Sequence, residues 1–334
     1  MDPGIPVPPP LYGGHERLVY MFAVEYLSLG HDVTILAGPN SSVAGAKTIS
    51  FGKNDLKRSS LQKFKEILFA WYFLILNRKK FDVVHNFGRL AYLLPILNFA
   101  SAKIMTYGRE VAKKRIKLFD TLPNKNVVYT ACSNYCVNTG NIAGRWETVY
   151  NAIDFSKYKL EEEVEDNAPL MFLGRMDQEK GLQTAIKIAK ETSNMLIIGG
   201  NMPHTKENIT YFKEFIEPQF DGKKIVYLGA LDDIKKNFYL GKAKALLFPI
   251  EWEEPFGMVM VEAMACGTPV IGYPRGAVPE VIDQNISGFY SDQYTDLVNK
   301  INNINQFERK TVRKTAEKRF SAGVIAKRYL SLIK

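Results

Sequence analysis

Short apolar runs alternate along this chain with longer stretches whose apolar residues recur every three or four positions. In the first half the runs fall at Val33–Ala37, Asp82–His85, Lys103–Thr106 and Val127–Ala131. Each reads as a short buried strand. Helical patterns lie between them. Gly14–Leu29, for example, places apolar residues 18, 19, 22, 26 and 27 on one face. A second series opens at Leu170–Leu173 and continues through Met195–Ile198, Ile225–Leu228, Ala245–Phe248 and Val270–Ile271. Strands alternating with helices predict α/β domains built on parallel sheets. The two series are separated by Phe155–Pro169, which carries the acidic run Glu161–Asp166, lacks apolar periodicity and reads as a linker. The expected division is a first domain over 1–158, a second over 159–320 and a terminal helix over 321–334. No short-period repeat is present.

The start of the chain breaks the pattern. A doubly wound domain opens on an apolar strand that feeds a loop and then the first helix. Here Asp2–Pro10 holds five prolines in nine residues, and proline cannot donate to a sheet ladder. The segment is therefore expected to be a loop, with the first strand of the N-terminal domain absent.

Composition narrows the class. A chain of 334 residues with 46% hydrophobic and 24% charged residues has the balance of an ordinary globular protein of two domains. No run of eighteen uncharged apolar residues predicts a membrane span, and the N-terminus lacks a secretion-signal layout. Cys132, Cys136 and Cys266 form no CxxC or zinc spacing and read as buried reduced thiols, which together favour a cytoplasmic location. The net charge of +9 is unevenly placed. Residues 1–160 hold 21 basic against 11 acidic side chains, whereas 161–334 hold 23 against 24. A basic first half suits an anionic membrane, a nucleic acid or a phosphorylated acceptor. The densest part is Leu56–Lys80, where Lys57, Arg58, Lys63, Lys65, Arg78, Lys79 and Lys80 flank Ile67–Leu76, a stretch read as apolar all round. Too short to span a bilayer, it could lie at an anionic surface, at the inner face of the membrane, or be buried as a core helix.

The strongest chemical signal is EPFGMVMVEAMACGTPVIG at 254–272. Glu254 stands in a loop and Glu262 inside a helix expected to begin near Gly257. A helix advances about 12 Å over eight residues, so the two carboxylates would address opposite ends of an extended ligand rather than share one metal. The free N–H groups of the helix start make an anion site between them, and Gly257 removes the side chain that would block close approach. A plain amphipathic helix with one surface and one capping Glu is the alternative. The second signal is GRMDQEKG at 174–181, directly after a strand and opening a helix, at the sheet edge where ligands bind. Arg175 offers a planar fork and Lys180 a point charge, a pair able to neutralise a diphosphate without a metal. Both could instead be ordinary surface cations paired with Asp177 and Glu179. Gly13 and Gly14, leading into a helix, allow close backbone approach to a ligand or form a mere tight turn. His85 ends a strand, where a histidine can serve a ligand or simply pack. Asp232-Asp233 imitates a metal-binding DxD pair but sits where a helix cap is expected.

Taken together, these segments resemble the family-four retaining glycosyltransferases, of the group-1 type. The resemblance covers nearly the whole chain, from Pro8 to about Leu332. It rests on PPPLYGGHERL at 8–18, LGHDVTILAG at 29–38, DVVHNFG at 82–88, VYNAID at 149–154, GRMDQEKG and EPFGMVMVEAMACGTPVIG. It implies a GT-B fold, two Rossmann-like doubly wound domains facing a cleft, with the terminal helix crossing back to the first domain. By the resemblance, Arg175 and Lys180 hold the donor diphosphate with Gly13 and Gly14 as the opposite wall. Glu254 binds hydroxyls of the transferred sugar, Gly257, Met258 and Val259 present N–H groups, Glu262 binds the ribose, and His85 contacts the sugar near the reacting carbon. His85 and Glu254 are thus the catalytic candidates. The chain departs from the family where Thr106–Glu110 lacks a usual histidine and where Asn151-Ala152 replaces Asn-Gly.

The expected function is metal-independent, retaining transfer of a sugar from a nucleoside-diphosphate sugar, a UDP-sugar by preference, to a glycan, lipid-linked or small-molecule acceptor. No resident cofactor and no nucleic-acid partner are expected, since no aromatic-and-basic reading module is present. The competing expectations are a non-catalytic nucleotide-sugar-binding protein, made plausible by the absent strand, and a sugar-nucleotide epimerase.

Overall fold

The structure is a computed structural model that describes residues 1–10, 13–111, 116, 117, 119, 122, 126–140 and 144–333. The chain divides into two compact units, one formed by Met1–Ala152 with Ala322–Lys334 and the other by Ile153–Ser321. Both are built from parallel strands with helices between them.

In the first unit the strands are β1 (Thr34–Ala37), β2 (Lys47–Ser50), β3 (Val83–Asn86), β4 (Ala102–Tyr107), β5 (Val127–Ala131) and β6 (Arg145–Thr148). They form two separate parallel sheets, β1-β2 and β3-β4-β5-β6. In a doubly wound order, β2 and β1 lie on one side of a central first strand and the other four on its far side. Among the described residues no strand joins the two sheets, and Asp2–Pro10 runs as turns and bends. The N-terminal loop is anchored nonetheless. The Met1 ammonium donates to the Leu36 carbonyl oxygen on the free edge of β1 (3.1 Å), and the Tyr92 hydroxyl donates to Asp2 (2.7 Å).

The helix Gly14–Ser28 buries Leu18, Phe22 and Ala23. Leu18 and Phe22 join Phe87, Ile104 and Val128 in one core cluster, completed by Ala322, Ile325, Ala326, Tyr329 and Leu332 of the terminal segment. The terminal helix Ala322–Ser331 thus belongs to the first unit because its apolar face fills that unit's core.

The second unit carries β7 (Leu170–Leu173), β8 (Leu196–Gly199), β9 (Ile225–Tyr227), β10 (Ala245–Phe248), β11 (Val270–Gly272) and β12 (Gly288–Tyr290) in one parallel sheet, ordered β12-β11-β10-β7-β8-β9. Leu170, Met171, Leu196, Ile198, Ala245, Leu246, Leu247, Val270 and Ile271 are all fully buried. Continuous burial is what a parallel sheet covered on both faces requires.

The expected linker is corrected here. The boundary falls at Ala152/Ile153, and Phe155–Pro169 is packed into the second unit. Arginines of the helix Arg309–Phe320 clamp its backbone. Arg309 donates to the Glu161 carbonyl (2.6 Å), and Arg313 to those of Tyr158 (2.7 Å) and Phe155 (3.0 Å). The acidic run matched no apolar period because its order comes from hydrogen bonds to a basic helix.

Candidate functional site

The sheet order of the second unit fixes where a ligand belongs. From β7 the chain winds outward to β8 and β9, then returns to the other side of β7 and winds through β10, β11 and β12. The direction reverses between β7 and β10, and the crevice outside their carboxyl ends is the usual binding place in an open parallel sheet. Two loops meet there, one after β7 (174–181) and one after β10 (249–257). The Glu251 N–H donates to the Glu179 carbonyl oxygen at 2.8 Å. Gly181 closes the first loop in the left-handed region (φ 75°), and a Cβ there would overlap the Pro249 carbonyl oxygen. Only glycine serves both demands.

Across this junction the Lys180 ammonium lies 2.9 Å from Glu254 Oε2, with side-chain exposures of 18% and 14%. Trp252 Nε1 donates to the same oxygen at 3.0 Å, and its ring lies under the Lys180 Nζ, 4.4 Å from the centroid. One cation and one carboxylate from loops 74 residues apart therefore converge at the switch point. Arg175 stands on the same loop as Lys180. Its Nε pairs with the buried carboxylate of Asp177, which fixes the stem, while 46% of the side chain remains exposed.

Gly257 is the N-cap of the helix Met258–Ala265, at φ 78°, where a Cβ would press on Met260 Cε at 2.6 Å. The first-turn N–H groups of Met258 and Val259 have no intrahelical acceptor and can point at an anion. Glu262 sits one turn on and is differently engaged. Its Oε1 accepts from Lys236 Nζ (2.7 Å) and from the Tyr158 hydroxyl (3.0 Å). Burial pushes the Tyr158 phenol up, and the Glu262 charge pushes it further. Burial alone would lower Lys236, but Glu262 and Asp233 outweigh it and raise its pKa. Glu262 is thus held by one cation and one phenol. Asp232 caps the helix Asp233–Lys242 by accepting from the Lys235 N–H (2.8 Å), and Asp233 pairs with Lys236 (3.3 Å), so the DxD imitation is a helix start.

The candidates of the first unit fare differently. Gly14 opens the first helix and Gly13 precedes it in extended backbone (φ 164°). A Cβ on Gly13 would meet Pro9 Cβ at 2.7 Å, so packing of the proline segment accounts for the glycine; one on Gly14 meets nothing. Leu11 and Tyr12 of the same motif lie outside the described residues. His85 is a correction. Its Nδ1 bonds to the Tyr26 hydroxyl (3.2 Å) and its Nε2 to Thr106 Oγ1 (2.8 Å), and the ring packs 4.1 Å from Phe87 and 4.4 Å from Tyr329. Burial, assisted by the nearby Met1 ammonium, pushes its pKa down to about 3. A neutral ring with both nitrogens committed has none left for a sugar. The strand-end position was right, but the half-buried ring packs against Phe87 and Tyr329.

The sequence reading missed Trp252, Tyr158 and Lys236, which position the two acidic residues. Trp252 lies within two residues of Glu254 and could have been found by asking what shields the Lys180 charge. Tyr158 and Lys236 carry no signal, because their partner Glu262 is distant in the chain. His15 was also passed over. Its ring lies where a Cβ on Gly108 would be, beside the Thr106–Glu110 stretch.

Residues 155–319 match the family model described as glycosyl transferases group 1. An uncharacterized 41.2 kDa protein in the cps region of Klebsiella pneumoniae is 26% identical over 257 residues, 72% of this chain and 66% of that protein. This chain thus spans just under two thirds of that relative's length. A putative glycosyltransferase, YtcC, of Bacillus subtilis is 27% identical over 325 residues, covering 86% of this chain and 77% of YtcC. Among solved structures, Anabaena Alr3699/HepE in complex with UDP superposes with a TM-score of 0.75 at 18% identity, covering 99% of this chain and 97% of that one.

Proposed function

The chain has the GT-B fold and its second unit belongs to the glycosyl transferases group 1; on that premise we propose that it transfers a sugar, with retention of anomeric configuration, from a nucleoside-diphosphate sugar to an acceptor hydroxyl. One observation carries the reading: Lys180 and Glu254 meet at the switch point, with a free helix N-terminus three residues further on. Bond cleavage leaves negative charge on a nucleoside diphosphate, and rate follows from stabilising that charge. Lys180, Arg175 and the N–H groups of Met258 and Val259 supply positive potential without a metal. In the free protein Lys180 is neutralised by Glu254. A bound diphosphate competes for the ammonium and turns Glu254 towards hydroxyls of the transferred sugar. Among the described residues both donors to Glu262 fall on Oε1, so Oε2 is the oxygen offered to the ribose.

A UDP-sugar is the preferred donor, a choice supported by the UDP complex of the similarly folded Anabaena protein. The acceptor is a glycan or a lipid-linked saccharide, supported by a relative in a cps region. The test is incubation with UDP-, GDP- and ADP-sugars, reading diphosphate release and the anomeric configuration of the product by NMR. Release with one donor and an unchanged anomer supports the reading; inversion removes the retaining assignment. The split first sheet favours a second reading, a non-catalytic nucleotide-sugar binder. Donor binding without turnover on any acceptor would select it.

A further inference from the structure

The helix Ser60–Leu76 is more apolar than its own packing needs. Ser59 caps it by accepting from the Gln62 N–H (3.2 Å). Its inner face buries Glu66, Ala70 and Leu74, and Trp71 Nε1 donates to the Ala91 carbonyl oxygen (2.8 Å). That face is complete. Ala70 packs with Phe51 and Tyr92, and Leu74 with Leu93 and Ile96. Glu66 is not exposed to solvent but is 3.5 Å from Arg58 and 3.2 Å from Arg89. The stretch read from sequence as apolar all round therefore has two faces, and only one is covered.

The other face is a continuous stripe. Leu61, Phe64, Leu68, Phe69, Tyr72, Ile75 and Leu76 are all exposed, with Leu61 and Tyr72 each at 65%. At about 100° per residue they fall within a single arc of roughly 140°. An amphipathic helix of a globular unit turns charge to water on this face. Here Lys65 alone lies within the arc, a cation long enough to reach its rim, and the other charge lies around the stripe. Lys57, Lys63, Lys65, Arg78, Lys79 and Lys80 are exposed, and among the described residues none forms an ion pair. The helix's one acid, Glu66, is buried and neutralised, and takes Arg58 out of the free cations. An apolar stripe with interfacial aromatics, edged by unpaired cations, has the chemistry of an element lying in a lipid headgroup layer. Its 17 residues are short of a span, its inner face is committed to the core, and among the described residues no helix is long and apolar enough to cross a membrane.

We propose that the Ser60–Leu76 helix docks this chain on an anionic lipid surface, inserting Leu61, Phe64, Leu68, Tyr72 and Leu76 among acyl chains while Lys57, Lys65 and Arg78–Lys80 meet lipid phosphates. Charge complementarity selects lipid over a second copy, since two copies would bring these cations together. The inference stands apart from the donor reading, because attachment is measured without nucleotide. The test is co-sedimentation of the full chain with phosphatidylcholine vesicles, with and without phosphatidylglycerol, at low and high salt. The expected result is binding to anionic vesicles only, reversed by salt, and reduced at least about tenfold in Leu68→Glu/Tyr72→Glu and in Lys79→Glu/Lys80→Glu. These positions are exposed, and circular dichroism checks that the variants fold. Failure to bind anionic vesicles at low salt, or binding that both double variants retain, overturns the proposal. So does a concentration-dependent dimer in sedimentation velocity that Leu68→Glu abolishes, which would give the stripe to a second copy.

Discussion

Replacing Lys180 with alanine should weaken nucleoside diphosphate binding by about 10- to 100-fold, or about 1.4–2.7 kcal/mol. A charge-assisted contact to a phosphate oxygen contributes roughly 1.5–3 kcal/mol. Against that stands the pair Lys180 already forms with Glu254 at 2.9 Å, which must be loosened before the ammonium can turn to the ligand. Both side chains retain some exposure, so solvent screens the pair and the deduction is about 1 kcal/mol or less. The same competition gives Glu254→Gln an effect of opposite sign on two ligands. Without the carboxylate Lys180 is free, so the diphosphate alone binds as well or better. The complete sugar donor binds worse, because the acceptor of its hydroxyl groups is weakened. Calorimetric titration of wild type and both variants with UDP and a UDP-sugar, repeated for GDP and ADP, measures all of these terms. If Lys180→Ala changes no affinity by more than about twofold, the ammonium does not hold the diphosphate. Equal losses for diphosphate and donor in Glu254→Gln would show that Glu254 does not read the sugar.

Arg309 donates to the carbonyl oxygens of Glu161, Gly241, Ala243 and Cys266 and to Thr268 Oγ1. Arg309→Met should therefore cost about 3 kcal/mol or more, through buried acceptors left without donors; a urea midpoint unchanged from wild type would refute this. Gly181→Ala should destabilise by at least about 1 kcal/mol, because its φ of 75° disfavours a side chain and the Cβ overlaps Pro249; an unshifted melting transition would contradict it. The folded pKa of His85 is about 3, below the ordinary value of 6.5, so as the pH falls below 6.5 the unfolded chain takes up a proton that the folded chain refuses. Stability is complete above about pH 6.5 and falls towards pH 3 by up to about 1.4 kcal/mol per pH unit. Urea melts of wild type and His85→Gln at pH 7, 6 and 5 should therefore converge on acidification, and a pH-independent difference would be the refuting outcome. Sugar transfer should survive EDTA; complete loss restored by manganese would show a metal at work.

Strands buried on both faces were the most legible elements. β5, β7 and β10 have the expected bounds, because continuous apolar burial writes itself as an apolar run. The strands that went unread, Lys47–Ser50, Arg145–Thr148 and Gly288–Tyr290, are all at sheet edges, where one side needs no apolar cover. The acidic and basic residues of the site were legible as loop motifs at strand ends. Their partners were not. That Lys180 reaches Glu254 depends on β10 returning beside β7, a fact of topology rather than spacing. Glu262 meets Lys236 and Tyr158 for the same reason. His85 shows the limit from the other side, since a strand-end position does not say whether the ring faces a ligand or the core. Ile67–Leu76 looked apolar all round because residue type does not say which side is covered: Ala70 and Leu74 are buried, while Leu68, Tyr72 and Leu76 are exposed.

The most direct test is a thermal-shift titration of the full chain with UDP, GDP and ADP, in wild type and in Arg175→Ala/Lys180→Ala. A ligand that binds only the folded state adds about 2.7 kcal/mol of stability at 100 times its dissociation constant. A nucleoside diphosphate bound at the β7–β10 switch point predicts that at least one of the three raises the transition, and that the double variant loses the shift while its own melting point stays near wild type. No shift with any of the three, or a shift undiminished in the double variant, would contradict it.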